Sequence, residues 1–172
     1  KQDDAAAQAL LLQALKDQYE GLRTFTLGKL DMKKSTVKTA AEKAIADLAK
    51  ADPKSTVRAK AIDLLGSYAN ATYADIFKTG IRDSSYAVAG ASLESLAEVN
   101  NDAAVEAVKQ LSAQPAKGQL LGAITSVAAK NGLEEAFPTI AATFGSMPLT
   151  QTKFEMLQPL AMLISKMKSP EK

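Results

Sequence analysis

The sequence predicts an all-α fold, an α-solenoid of four to five stacked helix pairs wound right-handed, and three observations carry that reading. Apolar residues recur with a period near 3.6 along most of the chain. No segment of six or more residues shows the strict alternation, rich in Val, Ile and Thr, that a strand needs. One pattern also returns at a fixed shift of 31 residues, the signature of a repeat architecture.

The elements follow in chain order. Residues 3–16 read as a first helix through Ala6, Leu10 and Ala14, and 19–30 as a second with Leu22, Leu27 and Leu30. Ser35 suits an N-cap for 36–50, where Val37, Ala41, Ala44 and Leu48 share a face. Asp52-Pro53 should open the next helix, Asp as cap and Pro in the first turn, with Val57, Ala61, Leu64 and Tyr68 as its stripe. Asn70 to Thr72 breaks it. A short helix then carries Tyr73, Ile76, Phe77 and Ile81, and Asp83-Ser84-Ser85 starts one that reaches about Val99. Asn100-Asn101-Asp102 caps a helix with Val105, Val108 and Leu111; Gln114-Pro115 starts one ending at Asn131-Gly132, a C-terminal stop. Leu133 to Phe144 follows, with Pro138 in its first turns. After Met147-Pro148, a last helix spans 150–167 with Pro159 as a kink.

The repeat lies in the second helix of each pair. Asp52, Val57, Ala61, Ile62, Leu65 and Gly66 correspond to Asp83, Val88, Ser92, Leu93, Leu96 and Ala97, then to Gln114, Gln119, Ala123, Ile124, Val127 and Ala128. A backward shift of 35 gives a weaker copy in Asp17, Leu22, Thr26, Leu27 and Leu30; Leu157, Leu160 and Ala161 suggest a fifth. A single helix pair cannot bury both of its apolar faces. Stacked pairs share one core, with small residues where backbones come closest. The repeat positions Asp17, Leu22, Asp52, Val57, Arg58, Leu65, Asp83, Val88 and Leu96 are therefore the structural residues of interest, with Leu65 and Leu96 buried and Lys60 facing outward.

Composition excludes several functions. At 172 residues the chain reads as one domain, 1–172. It is 47% hydrophobic and 23% charged, with 32 alanines, the best helix former. No apolar run is long enough to cross a membrane. There is no Cys and no His, so a thiolate nucleophile, the commonest general base and the commonest zinc ligands are all missing. A net charge of +2 from 18 Lys but only Arg23, Arg58 and Arg82 does not make a nucleic-acid stripe. Neither nucleic acid nor membrane is expected as a partner. The chain lacks a secretory leader pattern and opens on Lys1 rather than Met, so a C-terminal fragment of a larger protein is expected.

Asp52-Pro53-Lys54-Ser55-Thr56-Val57-Arg58 through Leu64-Leu65-Gly66 resembles the second helix of a HEAT repeat, whose pattern is Asp, then Val-Arg, then a spaced Ala and Leu-Gly. Asp83 to Ala97 keeps the spacing with Ala89 in place of the Arg; Gln114 to Ala128 has lost both the Asp and the Val-Arg. Asp17-Gln18-Tyr19-Glu20-Gly21-Leu22-Arg23, followed by these pairs, is similar to the C-terminal helical region of bacterial aminopeptidase-N-like zinc peptidases of the M1 family. That resemblance implies a non-catalytic domain that closes over the cleft of an upstream catalytic domain and restricts which peptides enter. Zinc would then belong to the upstream domain, with no catalytic, metal or cofactor residue in this segment. The partners implied are that domain and a peptide substrate at the concave face, in a soluble bacterial protein of cytoplasm or periplasm. The alternative is a free-standing scaffold that binds a protein or peptide in its concave face.

Other motifs have plainer readings. Ser35-x-x-Lys38 and Lys78-Thr79-Gly80 are similar to elements of serine β-lactamases, but there Lys-Thr-Gly lies on a strand and here it ends a helix. Asp3-Asp4 and Glu134-Glu135 are adjacent, about 100° apart on a helix, and do not converge. Gly118-x-x-x-Gly122 suggests a close helix contact, and Asn70-Ala71-Thr72 a loop and cap rather than a glycosylation site. Tyr19, Tyr68, Tyr73 and Tyr86 are expected to bury their rings near helix ends. Arg58 either bonds Asp83 of the next repeat or faces a peptide carboxylate from the concave side.

Overall fold

The computed structural model describes residues 5–114 and 116–168. Among them the secondary structure is helical, with no strand. Ten α-helices follow one another: α1 Ala5–Ala14, α2 Glu20–Leu27, α3 Ser35–Ala51, α4 Ser55–Gly66, α5 Ala74–Gly80, α6 Tyr86–Val99, α7 Asn101–Leu111, α8 Gly118–Asn131, α9 Phe137–Ser146 and α10 Gln151–Lys166. Short 3-10 turns over Ala71–Tyr73 and Glu134–Ala136 lead into α5 and α9. The helices form five pairs, and the even-numbered members stack into one layer: α4 on α6, α6 on α8, α8 on α10. The odd-numbered helices scarcely meet one another. A double layer that is tight on one side and splayed on the other is curved, and the tight layer α2, α4, α6, α8 and α10 lines its concave side. This is the α-solenoid that the repeat predicts.

The repeat columns explain the stacking. Leu27, Ile62, Leu93 and Ile124 occupy one column, and Leu30, Leu65, Leu96 and Val127 the next; all are buried. The small-residue column, Thr26, Ala61, Ser92 and Ala123, has no exposed surface at all. Val57 and Val88 are buried too, and Lys60 is exposed. Leu22 departs from the column: it is 43% exposed, because α2 has a stacked neighbour on one side only. In α10 the buried stripe is Met156, Leu160 and Leu163, continued by Met167 just past the helix end, while Leu157 and Ala161 of the suspected fifth copy face outward.

Several helix starts differ from expectation. Asp52 and Pro53 do not begin α4. Asp52 is the C-terminal flank of α3 in an extended conformation (ψ 134°), as the following proline requires. Its carboxylate accepts the Lys54 N–H at 2.9 Å, and the helix begins at Ser55. Asp17 and Asp83 repeat that turn, accepting the N–H groups of Tyr19 and Ser85. Ser35 is the first residue of α3 and not its flank. The start expected at Gln114-Pro115 falls later, at Gly118; Pro115 lies outside the described residues, as do Asp3 and Asp4. Gly118 enters α8 with φ +53°, a backbone state that glycine adopts without strain. Asn100 and Thr150 do cap α7 and α10, and Gly132 closes α8 in the left-handed conformation (φ 65°). Pro159 sits inside α10, which continues through it.

The close approaches lie elsewhere than at Gly118 and Gly122, above both of which the space is open. A Cβ on Gly90 of α6 would come 2.6 Å from the Gln119 backbone of α8. At Gly66 it would meet the Ser95 side chain, and at Gly80 that of Ser92. Of the four tyrosines, only Tyr73 is buried, bonding Glu42; burial and that bond push its phenol up. Tyr19, which flanks the start of α2, and Tyr86, the first residue of α6, are exposed at the open edge of the even-numbered layer.

Candidate protein-interaction surface

Two features stand out: a ladder at the start of the even-numbered helices, and a groove along their concave face. In the ladder, Arg58 donates from Nε and Nη2 to the Asp83 carboxylate, both at 2.9 Å, and from Nη1 to the Asp52 carbonyl at 2.8 Å. Arg23 does the same one repeat earlier. Its Nε and Nη2 reach Asp52 at 2.7 and 2.9 Å, and its Nη1 the Asp17 carbonyl at 2.7 Å. Each Arg therefore closes the turn that opens its own helix and clamps the Asp of the next repeat with a bidentate, charge-assisted pair. Arg58 is committed to this rung and does not line the groove. The rung at Arg23 is missing from the sequence reading, although the 35-residue shift that aligns Asp17 with Asp52 also places Arg23 on Arg58. The ladder stops where Ala89 replaces the arginine.

The groove consists of two adjoining hollows. One, about 310 Å³, lies over α4, α6 and α8 and is lined by Asp63, Glu94, Glu98, Ser126 and Lys130 above Gly66 and Ser95. The other, about 470 Å³, shares Glu94 and Ser126 and continues over Gly118 and Gly122 to Thr152 and Glu155 on α10. Four carboxylates thus face one lysine, in a chain whose net charge is +2. Lys130 already bonds Glu98 at 3.2 Å. Burial, opposed by Lys60, holds the Asp63 carboxyl above its ordinary value. Burial and the charge of Asp63, opposed by Lys130, raise Glu94. Asp63 and Glu94 occupy the same repeat position, 31 apart on packed neighbours α4 and α6. Sequence reading passed over them; the available signal was an acid recurring one residue after the buried Ile62 and Leu93.

On the outer side, the wedge between α3 and α5 opens a hollow of about 1130 Å³ floored by Ala46, Ala49, Ile76 and Val88. Lys78-Thr79-Gly80 ends α5 at this wedge and lies on no strand. Among the described residues, no group of three or more His, Cys, Asp or Glu side chains is arranged to hold a metal ion. None of the described helices is long and apolar enough to cross a membrane.

A family model described as HEAT repeats matches residues 41–129, which run from α3 into α8. No curated protein matches the chain.

Proposed function

The chain belongs to the HEAT-repeat family, and from that premise we propose that it is a non-catalytic recognition scaffold whose concave face receives a polypeptide. The single observation that carries this reading is the continuous groove over α4, α6, α8 and α10, lined by polar and charged side chains. A layered stack offers an extended surface of this kind without any catalytic group, because each repeat adds one helix to the same face.

The finer reading rests on the similarity of Asp17 to Arg23 to the M1 aminopeptidase C-terminal region. In it, the polypeptide at the groove is a peptide substrate, the domain packs against an upstream zinc peptidase domain of the same chain, and the metal belongs to that domain. The scaffold reading places a separate protein in the same groove. Photo-crosslinking in the native host addresses both. A benzophenone amino acid is placed at Ser126 in the groove, or at Glu106 on the outer helix α7, and the products are mapped by mass spectrometry. Crosslinks from Ser126 to one defined polypeptide segment are expected. A segment from an upstream part of the same chain favours the peptidase reading, and one from another protein the free scaffold. Crosslinks confined to Glu106 would overturn concave-face recognition.

A further inference from the structure

We infer that the concave groove takes an extended polypeptide segment bearing lysine or arginine side chains, with one cation seated between Asp63 and Glu94. The inference rests on the concave-face reading above and names the chemistry of its ligand.

Charge complementarity carries it. The groove holds Asp63, Glu94, Glu98 and Glu155 against Lys130 alone, and Lys130 is engaged by Glu98. Asp63 and Glu94 face each other from equivalent positions on two packed helices. Both side chains are solvent-exposed; Lys60 and Lys130 are the cations that act on them, and partial desolvation in the groove still outweighs both lysines. Two like charges side by side in a groove short of countercharge attract an incoming ammonium or guanidinium, and both carboxylates are open to solvent and free to receive it. The groove floor points the same way. Gly122 lies within α8, where glycine costs about 1 kcal/mol relative to alanine, and nothing stands within 4 Å of the place its Cβ would fill. Internal packing does not require a glycine there. Close passage of a ligand backbone between the acidic side chains would use that space.

The path over four even-numbered helices, spaced about 9 Å apart, spans roughly 27 Å. About eight residues of extended chain cover it. The test uses the full chain and a fluorescein-labelled octapeptide of alternating lysine and serine, with its glutamate-serine counterpart as control, read by fluorescence anisotropy. The lysine peptide is expected to bind, to weaken steeply with added salt, and to lose about tenfold or more in affinity in the Asp63→Asn, Glu94→Gln double variant. The glutamate peptide is expected not to bind. Glu106→Gln, outside the groove, should leave affinity unchanged. Because the two neutralised carboxyls are side chains on the concave surface, the double variant is expected to melt no lower than the parent, which separates lost binding from lost fold.

Absence of lysine-peptide binding, equal binding of the glutamate peptide, or an unchanged affinity in the folded double variant would overturn the inference. If groove crosslinks at Ser126 persist in that case, the concave-face reading stands and only the basic ligand fails. If those crosslinks are absent as well, the reading itself has failed.

Discussion

The junctions α2–α4 and α4–α6 are held differently from α6–α8, although all three belong to one stack. In the first two, a buried or partly buried Arg–Asp rung spans the helix starts: Arg23–Asp52, with side chains 8% and 2% exposed, and Arg58–Asp83, each 17% exposed. At the third, Ala89 stands where the arginine would be and Gln114 where the aspartate would be. There the backbone of α8 at Gln119 and Leu120 moves in against Gly90 instead. Past that point the ties lie at the opposite ends of the helices: Asn101 and Asn131 exchange amide bonds at 2.8 and 3.2 Å, and Lys166 donates to the Lys130 carbonyl at 2.8 Å. One repeat register can thus be fixed by charge at one junction and by close backbone contact at the next.

The largest effect should come from breaking the buried rung. Arg23→Ala leaves the Asp52 carboxylate buried without its partner, a change that costs about 3–5 kcal/mol. Urea unfolding of the variant should show that loss. A loss under about 1 kcal/mol would mean that Asp52 finds water or a new partner, and that the rung sets register without holding the stack. Gly90→Ala attacks the other kind of junction. Its methyl would meet backbone, which cannot rotate away, so a cost near the upper end of roughly 1–3 kcal/mol is expected. Little change would show that α6 and α8 can separate without penalty.

The residues that differ between these junctions also show how far the sequence could be read. The 31-residue shift and the Asp-Val-Arg pattern revealed the helix pairs, the buried columns at Leu65 and Leu96, and the Arg58–Asp83 partnership, because each recurs in sequence. Helix starts were less legible. Asp52 looked like a cap for α4, yet its carboxylate serves Arg23 from 29 residues away, a long-range competitor no local pattern displays. Gly118-x-x-x-Gly122 looked like a packing motif, but Gly118 is needed for its positive φ and Gly122 faces open space. The contact it seemed to promise falls at Gly90, which no motif marks. The groove was hidden for a related reason. Asp63 and Glu94 read as ordinary solvated acids, and they do stay exposed; only the packing of α4 on α6 brings them into one groove.

The partly buried Arg58–Asp83 rung and the groove respond to acid in opposite directions. Burial pushes the Asp83 carboxyl up, but the Arg58 guanidinium and the Ser85 N–H outweigh it and hold the group below its ordinary value. A carboxyl held low in the folded state binds fewer protons there than when unfolded. Its stabilisation is complete above the unfolded value of about 4 and fades as pH falls through the folded one. Asp63 and Glu94, held high, weigh against the folded state once ionised and are relieved as pH falls. Comparison with Arg58→Met isolates the rung. The variant should be about 1–2 kcal/mol less stable at pH 7, and the gap should narrow below about pH 4. A gap that stays constant down to pH 2 would show that the rung acts by packing rather than charge.

The smallest expected effect concerns the small-residue column that both kinds of junction share. Thr26 and Ser92 occupy equivalent places, both wholly buried, and neither hydroxyl finds a hydrogen-bond partner among the described residues. Ala61 and Ala123 fill the same position in other repeats, so the site selects for size and has no use for the hydroxyl. Ser92→Ala removes an unsatisfied buried polar atom at the expense of a very small void, and stability should rise or stay within about 1 kcal/mol. The change should also couple to Gly80, whose added Cβ would sit 2.1 Å from the Ser92 Oγ but 3.1 Å from its Cβ. Gly80→Ala is therefore expected to cost less in the Ser92→Ala background than in the parent, a coupling that a double-mutant cycle of melting temperatures reads directly. Additive effects would place the Gly80 penalty on the Ile62 side chain, 3.3 Å away on the same flank, rather than on the small-residue column.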